Sequence, residues 1–281
     1  MSAIQFELAR SIARRTEPWF PEMTGQLVEY EWKSLLSEFG ISLGSYSTAS
    51  VLRARRLTLG GDEILVPFLL MSGDNSQLIE FLPDKIRGRF ESNQYKFLTP
   101  NEYAIKRVSA TLRGAMELIE QTPSLHQSVI QLARCIHILQ SSSEENDVSF
   151  SDPKLPFSIF VSAPHSDSSS ASHRLAEAIV HESMHLQLSL LEKHAPLATT
   201  EMATFYSPWK RSDRLASGVL HALYVFAVID DWLRQFPNCG DKYVSKRRQE
   251  IVAQVAEIDA FRNAKLTEFG CTLRDYLFSR F

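Results

Sequence analysis

The sequence contains few cysteines, and their spacing is typical of neither a structural metal site nor a redox pair. The three cysteines are Cys135, Cys239 and Cys271. They lie far apart, are odd in number and form no C-x-x-C pair. We therefore expect no disulfide framework and a protein of a reducing compartment.

The sequence also lacks an excess of charge of one sign, because its formal net charge is only -3 over 281 residues. The one short basic run, Ser245 to Glu250, is best interpreted as a solvated helix face. No long basic stripe is present, which argues against a general nucleic-acid-binding protein. Hydrophobic residues make up 44% of the chain, enough for a sizeable core in one large domain or two closely packed ones.

Long hydrophobic runs are absent as well. The longest, Leu215 to Ile229, is too short to span a bilayer and is followed at once by Asp230 and Asp231. The N-terminal stretch Met1 to Glu17 carries charges throughout, which is not typical of a signal peptide. We therefore expect a soluble cytoplasmic protein with neither nucleic acid nor membrane among its partners.

The predicted fold is mainly α with a small β-sheet (α+β). Apolar periodicity and capping signals predict seven helical stretches, over Ile4–Arg15, Pro21–Phe39, Thr99–Gln121, Thr122–Leu139, His173–Lys193, Leu215–Phe236 and the C-terminus, where a break near Gly270 separates two helices. Thr99 and Glu102 form a capping box. Pro156–Ser162 is predicted as a strand, whereas Asp62–Met71 suits a buried strand or a helix equally.

The remaining segments are predicted as loops, and they suggest two regions. Ser141–Lys154 is polar and turn-rich, Ala163–Ser172 is a small-residue loop at the border of a site, and His194–Arg214 connects two helices. Residues 1–140 are then a mainly helical region for which we hypothesise peptide binding. Residues 141–281 form the catalytic region, and the two together suit one compact domain.

The chemistry of the chain is indicated by an H-E-x-x-H pattern at His181, Glu182 and His185. Residues four apart on a helix lie on one face, so His181 and His185 point the same way and suit one metal ion. Glu182 lies beside that ion, where it can act on bound water or orient a ligand. The alternative is a helix with two ordinary core or surface histidines, which we consider the weaker interpretation.

A metal ion needs a third protein ligand, and two arrangements typical of proteases do not fit. Leu188 and Leu191 occupy the positions of the extended H-E-x-x-H-x-x-G-x-x-H pattern. No glutamate falls early in the next apolar helix, which carries His221 instead. A histidine in such an apolar stretch is costly to bury without a partner, so His221 is the predicted third ligand. Gly218, one turn earlier, is expected to allow close approach of the two helices.

The stretches from Leu175 to Leu197 and from Tyr206 to Asp230 resemble a known family. These are the 2-oxoglutarate-dependent H-E-x-x-H-type peptide β-hydroxylases, encoded beside ribosomally made peptide natural products. The resemblance covers roughly the last 130 residues. It includes the serine-proline-tryptophan-basic stretch Ser207–Lys210, then Arg214 and His221. The sequence departs from the family at Leu215, where proline is usual, and at Ala222, where glycine is common.

The resemblance implies an Fe(II) enzyme that uses 2-oxoglutarate and dioxygen to hydroxylate the β-carbon of a residue in a precursor peptide. It also implies that His181, His185 and His221 bind the iron. Three protein ligands suit such an enzyme, because 2-oxoglutarate takes two positions on the metal and dioxygen one.

The distal carboxylate of 2-oxoglutarate needs a cation that binds both of its oxygens, and arginine suits this best. Arg214 is the first candidate and Arg211 the second, although a solvated charged loop is an equally good interpretation for Arg211. Ser207 or Tyr206 is a candidate hydrogen-bond donor to the cosubstrate. Trp209 is expected to pack the loop against the metal-binding helix.

Two alternatives remain from other classes. A zinc metallopeptidase would hold Zn(II) in the same histidines and use Glu182 as general base. A catalytically inactive relative would only bind a peptide. In the hydroxylase, Glu182 would instead orient His221, contact the cosubstrate or join the coordination sphere.

Overall fold

The computed structural model describes most of the chain, in ranges that include every predicted site residue. The described residues are 3–14, 16–38, 65–69, 77–91, 96–105, 108–140, 147–152, 155–164, 170–200, 202–236 and 242–281. The chain divides into two compact units. One comprises Val28–Leu186, and the other comprises Met1–Leu27 together with Gln187–Phe281. The predicted functional division at residues 140 and 141 stays a prediction.

Helices account for most of the described residues, which confirms a mainly α protein with a small sheet. The α-helices are α1 (Ala3–Ala13), α2 (Pro21–Glu38), α3 (Asp84–Arg87), α4 (Pro100–Ile105), α5 (Val108–Glu120), α6 (Pro123–Leu132), α7 (Ala171–Glu192), α8 (Ala216–Leu233), α9 (Lys242–Glu257) and α10 (Glu268–Phe278). A 3₁₀-helix, Asp259–Asn263, lies between α9 and α10.

The unit Val28–Leu186 contains a mixed sheet of five strands in the order β1-β2-β3-β5-β4. The strands are β1 (Leu65–Leu69), β2 (Leu78–Phe81), β3 (Cys135–Leu139), β4 (Ser149–Phe150) and β5 (Ser158–Ser162). Parallel pairing joins β2 to β3 and β3 to β5, whereas the outer strands β1 and β4 pair antiparallel. Every residue of β3 and β5 is buried, as expected for the centre of a sheet covered on both faces.

Several predicted elements of this unit are confirmed. The predicted strand at Pro156–Ser162 is β5, and the undecided stretch Asp62–Met71 contains strand β1. The capping box is present, since the Thr99 N–H donates to the Glu102 carboxylate at 2.9 Å. The Glu102 N–H donates in return to Thr99 Oγ1 at 3.3 Å. The helix that follows is found as α4 and α5, and residues 106 and 107 between them lie outside the described part of the chain.

Two predictions in this unit are wrong. The helix that begins at Thr122 was predicted to reach Leu139, but α6 ends at Leu132 and Cys135–Leu139 is strand β3. Hydrogen bonds to the neighbouring strands β2 and β5 stabilise these residues as a strand. A short apolar run does not by itself distinguish a strand from a helix, which is why a helix was predicted. Ser149 and Phe150, predicted as turn, form the edge strand β4 for the same reason.

The other unit is centred on helix α8. This helix is long and apolar enough to cross a membrane by length and composition, but 78% of it is buried inside the protein. Burial of that kind is typical of the core helix of a soluble protein, where a continuous apolar surface is covered by other elements. Its bounds, Ala216–Leu233, agree with the predicted Leu215–Phe236 to within three residues.

One further prediction is wrong in this unit. The predicted loop His194–Arg214 contains a β-hairpin, β6 (Thr204–Ser207) and β7 (Ser212–Leu215), whose two strands stabilise each other by pairing. The two predicted C-terminal helices are present as α9 and α10, and residues 258–267 separate them. Gly270 lies in the first turn of α10. It is a glycine because a Cβ there would lie 1.9 Å from the carbonyl oxygen of Leu197.

Some predictions fall on residues outside the described ranges. Residues 165–169 of the loop Ala163–Ser172 and Cys239 are among them. Of the other two cysteines, Cys135 is buried, Cys271 is partly exposed, and both are free thiols.

Candidate metal centre

The H-E-x-x-H pattern lies on α7, a 22-residue helix that agrees with the predicted His173–Lys193. Val180 and Met184 of this helix are fully buried, whereas His181 and His185 are partly exposed. The helix therefore buries its apolar residues and leaves both histidines accessible. Their Nε2 atoms lie 3.1 Å apart, which confirms that the two side chains point to the same place.

The separation of these nitrogens fits a shared metal ion. Two nitrogen ligands about 2.1 Å from one ion, at about 90° to 110° from each other, are separated by about 3.0 to 3.4 Å. The pair at 3.1 Å meets this condition without any rearrangement. The same distance also suits an N–H···N hydrogen bond, and it does not distinguish iron from zinc.

The edge strand β4 supplies a hydrogen bond to Glu182. Ser149 Oγ donates to Glu182 Oε1 at 2.7 Å, and the same carboxylate oxygen lies 3.8 Å from His181 Nε2. The Glu182 side chain is only 3% exposed. A buried carboxylate needs such donors, because desolvation disfavours its charged form. Ser149 therefore fixes the direction of the carboxylate beside the histidine pair.

A second polar contact joins the same two segments. Arg174, in the first turn of α7, donates from Nε to Asp147 Oδ2 at 2.7 Å. Burial raises the pKa of the Asp147 carboxyl, and the hydrogen bond from Arg174 opposes that rise. The segment 147–149 is thus fastened to α7 at two points, and its serine is held opposite Glu182.

His221, the predicted third ligand, belongs to the other unit. It lies on α8, where its Nε2 is 2.9 Å from Glu192 Oε2. Its side chain is 18% exposed, so the histidine is neither fully buried nor without a polar partner. The argument from an unsatisfied buried histidine therefore loses its force. In the described part of the chain, no three or more His, Cys, Asp or Glu side chains form a group that could hold a metal ion.

Two polar contacts connect α8 to the last residues of α7. Besides the contact of His221 with Glu192, the Tyr224 hydroxyl donates to Gln187 Oε1. Complete burial raises the pKa of the Tyr224 phenol well above its usual value, which keeps the hydroxyl protonated as a donor. His221 and Tyr224 are three residues apart on α8 and lie on one face, so this face is fixed against Gln187–Glu192.

The predicted cosubstrate residues lie on the β6–β7 hairpin, on opposite faces. Ser207 is 2% exposed and Tyr206 46% exposed, as expected for neighbours in a strand. Phe205 pairs with Arg214 and Ser207 with Ser212, so Ser207 and Arg214 share a face that Tyr206 does not. Arg211 is exposed at the turn with φ 49°.

Arg214 extends along the first turn of α8. A Cβ at Gly218 would lie 3.7 Å from Arg214 Cβ and 3.9 Å from its Nε. The side chain next to Gly218 is thus this arginine of the hairpin. The sequence had suggested a second helix there. Gly218 precedes His221 by three residues, about 4.5 Å along the helix axis. Arg214 is exposed to solvent, so its guanidinium can reach a ligand.

Trp209 was predicted to pack the loop against the metal-binding helix, and the ring contact that the structure shows for it is with α8 instead. Its ring stacks on Phe226 of α8, with centroids 4.9 Å apart and planes 9° from parallel. Trp209 therefore fastens the hairpin turn to α8.

Of the other histidines, His137 is the best defined. It is completely buried in β3, with Nε2 3.2 Å from the equally buried Glu80 Oε2. His126 is partly buried, and His165 lies outside the described residues. Neither His137 nor His126 is assigned to the candidate metal centre.

Two residues of this site were missed in the sequence. Ser149 was hidden because the strand that carries it has only two residues in a polar stretch. Glu192 was given no role in the sequence interpretation. A helical periodicity argument could have found it, since positions 181, 185 and 192 fall on one face of α7.

Comparison with protein-family models and with curated proteins gives no match for this chain. The family resemblance therefore rests on the motif residues alone and stays a prediction.

Proposed function

We propose that this protein is an Fe(II)/2-oxoglutarate-dependent dioxygenase that hydroxylates the β-carbon of a residue in a ribosomally synthesised precursor peptide. The observation that carries the proposal is the His181–His185 pair, whose Nε2 atoms lie 3.1 Å apart on one turn of α7. The resemblance of the last 130 or so residues to peptide β-hydroxylases supplies the choice of chemistry.

In this proposal His181, His185 and His221 hold the iron. When bound, the iron and 2-oxoglutarate supply the oxidising chemistry, in which dioxygen gives one oxygen atom to the peptide and one to succinate, with release of carbon dioxide. The task of the protein is to hold the groups in place and to leave open positions on the metal.

Arg214 is the proposed partner of the distal carboxylate of 2-oxoglutarate. Its position along the first turn of α8, beside the Gly218 that precedes His221 by three residues, supports this role. An arginine can bind both carboxylate oxygens at once. Ser207 shares its face of the hairpin and is the preferred hydroxyl donor, whereas Arg211 and Tyr206 are the second candidates.

Glu182, which lies beside His181, is the proposed catalytic residue. Its carboxylate accepts a hydrogen bond from Ser149 and lies 3.8 Å from His181 Nε2. We propose that it orients the ligands of the iron, since no water needs activation in an oxygenase. The same position would suit the general base of a zinc peptidase, so this reaction is the second candidate.

A reducing cytoplasmic location fits this function. Ferrous iron and the free thiols of Cys135 and Cys271 both persist under reducing conditions. The proposed partners are the precursor peptide, 2-oxoglutarate and dioxygen.

Anaerobic binding tests the metal and cosubstrate assignment without knowledge of the peptide. Purified metal-free protein is titrated with Fe(II) and then with 2-oxoglutarate, and the visible charge-transfer band of chelated 2-oxoglutarate is recorded. We expect one iron per chain and a band that His181→Ala abolishes. A protein that binds Zn(II) tightly, gives no such band and cleaves peptides would be a peptidase. A protein that binds neither metal would be an inactive relative.

The arginine is tested in the same titration. Arg214→Ala should keep iron binding and weaken the binding of 2-oxoglutarate at least tenfold, because a charged hydrogen bond contributes about 1.5–3 kcal/mol. Arg211→Ala is the matched variant on the same hairpin. If only Arg211→Ala weakens the binding of 2-oxoglutarate, Arg211 and not Arg214 is the partner of its distal carboxylate.

A further inference from the structure

The β6–β7 hairpin packs against its own unit through one of its two faces. Phe205 contacts Phe261 of the 3₁₀-helix edge to face, with ring centroids 5.3 Å apart. Ser207, two residues further along the strand, is 2% exposed. At the turn, Trp209 stacks on Phe226 of α8. Because side chains alternate along a strand, the residues between these positions point to the opposite face of the hairpin.

That opposite face carries large apolar side chains in contact with solvent. Strand pairing places Tyr206 opposite Asp213 and Thr204 opposite Leu215, and Met202 continues the alternation two residues before Thr204. The exposed fractions are 76% for Met202, 46% for Tyr206 and 41% for Leu215. The solvated face of an antiparallel sheet is normally polar, so the composition of this face is unusual.

The three side chains form a cluster. Leu215 lies diagonally across from both Tyr206 and Met202, a separation that long and aromatic side chains can bridge. Single exposed apolar residues are ordinary, but a contiguous patch marks a surface for a partner. Methionine and tyrosine are also residue types that interfaces favour. The other exposed large apolar residues of the described chain lie on α1, α2, α9 and at the last residue, as Phe6, Tyr30, Val252 and Phe281.

The charges of the hairpin indicate the sign of its partner. Lys210 and Arg211 are exposed at the turn, and neither forms an ion pair within the part of the chain that the structure describes. Arg214 adds a third cation, whereas Asp213 is the one carboxylate within residues 202–215. A segment that combines apolar side chains with carboxylates would therefore be complementary to this surface.

We propose that the apolar face of the hairpin, formed by Met202, Tyr206 and Leu215, is a docking site for an acidic segment of the substrate peptide that carries apolar side chains. Lys210 and Arg211 at the turn attract its carboxylates. The inference rests on the proposed function, which makes a peptide the substrate, and it adds where the peptide binds and what chemistry is recognised.

Two other occupants fit this surface less well. An anionic lipid surface would be repelled by Asp213, which lies within the face opposite Tyr206. A second copy of the chain would need an interface of about 20–30 residues a side, many more than the three apolar side chains offered here. A short peptide segment needs no such area, because it is held by a few anchoring side chains.

Binding is measured first with the metal-free protein, so that the result does not depend on iron. The probe is a fluorescein-labelled synthetic peptide of glutamate, leucine and glycine. Two companion peptides of equal length replace its glutamates by lysine or its leucines by serine. Fluorescence anisotropy should show the tightest binding for the first peptide, with an affinity that falls as salt screens the charges. No binding of the first peptide, or equal affinity for all three, overturns the proposal.

Variants then locate the site. Met202→Ser and Leu215→Ser should each weaken the first peptide at least about fivefold, as expected for an interface side chain that contributes to binding. Serine suits position 215, which is the N-cap of α8. Lys210→Glu should weaken binding about tenfold and reduce its salt dependence. The controls Phe6→Ser and Lys242→Glu, exposed on other helices, should bind as the wild type does.

Circular dichroism shows that each variant is folded. Hairpin variants that are folded and bind the probe as tightly as the two controls would place the peptide elsewhere, and the proposal would be wrong. A dimer in analytical ultracentrifugation that Met202→Ser dissociates would assign the face to a second copy. Binding to phosphatidylserine vesicles that the same variant abolishes would assign it to a membrane surface. Either result overturns the proposal.

The anaerobic titration with Fe(II) and 2-oxoglutarate separates this inference from the proposed function. If both ligands bind and the probe peptide does not, the docking site is wrong and the proposed function stands. If the probe peptide binds at the hairpin and iron does not bind, the docking surface stands and the proposed function fails.

Discussion

At the scale of single residues, the glutamate of the H-E-x-x-H pattern is the most informative. Glu182 is almost completely buried, yet it accepts a hydrogen bond from a serine of another element. A buried carboxylate held by a donor keeps one orientation, which is what a group beside a metal ion requires. The sequence predicted Glu182, but it gave no signal for the serine that holds it.

Removal of this donor should weaken the site without unfolding the protein. Ser149→Ala deletes one hydrogen bond to Glu182, and we expect metal affinity to fall about 10-fold, the lower end of the range for residues behind metal ligands. Ser149→Thr keeps the hydroxyl and should restore most of the affinity. Ser245→Ala, on the exposed side of α9, is the control. Equal metal affinity in the wild type and Ser149→Ala would show that the contact is only structural.

Gly218 provides a second residue-scale prediction. A Cβ there would meet Arg214 at ordinary contact distances of 3.7 and 3.9 Å. Gly218→Ala should therefore leave 2-oxoglutarate binding unchanged and stabilise α8 by up to about 1 kcal/mol, the helix-propensity difference between the two residues. Gly218→Leu should displace Arg214 and weaken 2-oxoglutarate binding at least tenfold, with iron binding retained. Unchanged cosubstrate affinity in Gly218→Leu would exclude Arg214 as the carboxylate partner.

At the scale of elements, the junction of α5 and α6 contains a histidine with a shifted pKa. Burial lowers the pKa of His126, and Glu120, whose Oε1 is 3.7 Å from His126 Nε2, opposes the shift. Because the pKa is lower in the folded state than in the unfolded chain, the folded state binds fewer protons. The stability associated with the neutral histidine is present above the unfolded value of about 6.5 and is lost as the pH falls below it.

Replacement of His126 should therefore reduce the acid sensitivity of the fold. We expect the thermal midpoint of His126→Gln to fall less than that of the wild type between about pH 7.5 and about pH 5.5. Above about pH 8 the two proteins should give parallel curves, because the histidine is neutral in both states. A wild-type protein and variant that lose stability equally on acidification would contradict the shifted pKa.

Some helices and strands could be predicted from the sequence, and others could not. Helices with caps or a strong apolar face, such as α7 and α8, were predicted to within a few residues. Strands β3 and β4 and the β6–β7 hairpin were missed, because their stability comes from pairing with residues distant in the chain. The histidine pair was predictable, since four residues of helix determine it. The contact of Ser149 with Glu182 and the contact of Glu192 with His221 depend on tertiary structure, so neither could be predicted from the sequence.

At the scale of the whole molecule, the fold contains a buried glutamate–histidine pair outside the candidate metal centre. Glu80 and His137 are both completely buried on adjacent strands. His137 also stacks on Phe160, with ring centroids 4.5 Å apart. Removal of one member of such a pair leaves the other without compensation in the interior, which is more costly than removal of both.

A double-mutant cycle tests this dependence. Glu80→Leu and His137→Leu should each lower the free energy of unfolding by about 3–5 kcal/mol, and the double variant should lose clearly less than their sum. Urea unfolding followed by circular dichroism gives the three values. Additive losses would show that the two side chains stabilise the sheet independently.

The central claim is that the histidine pair of α7 serves an oxygenase. It is tested most directly by the intact mass of a precursor peptide encoded beside this chain, incubated with anaerobically purified protein, Fe(II) and 2-oxoglutarate and then exposed to air. The account predicts the gain of one oxygen atom, dependent on 2-oxoglutarate and absent in His181→Ala. Cleavage of the peptide into two fragments with Zn(II) alone would contradict it.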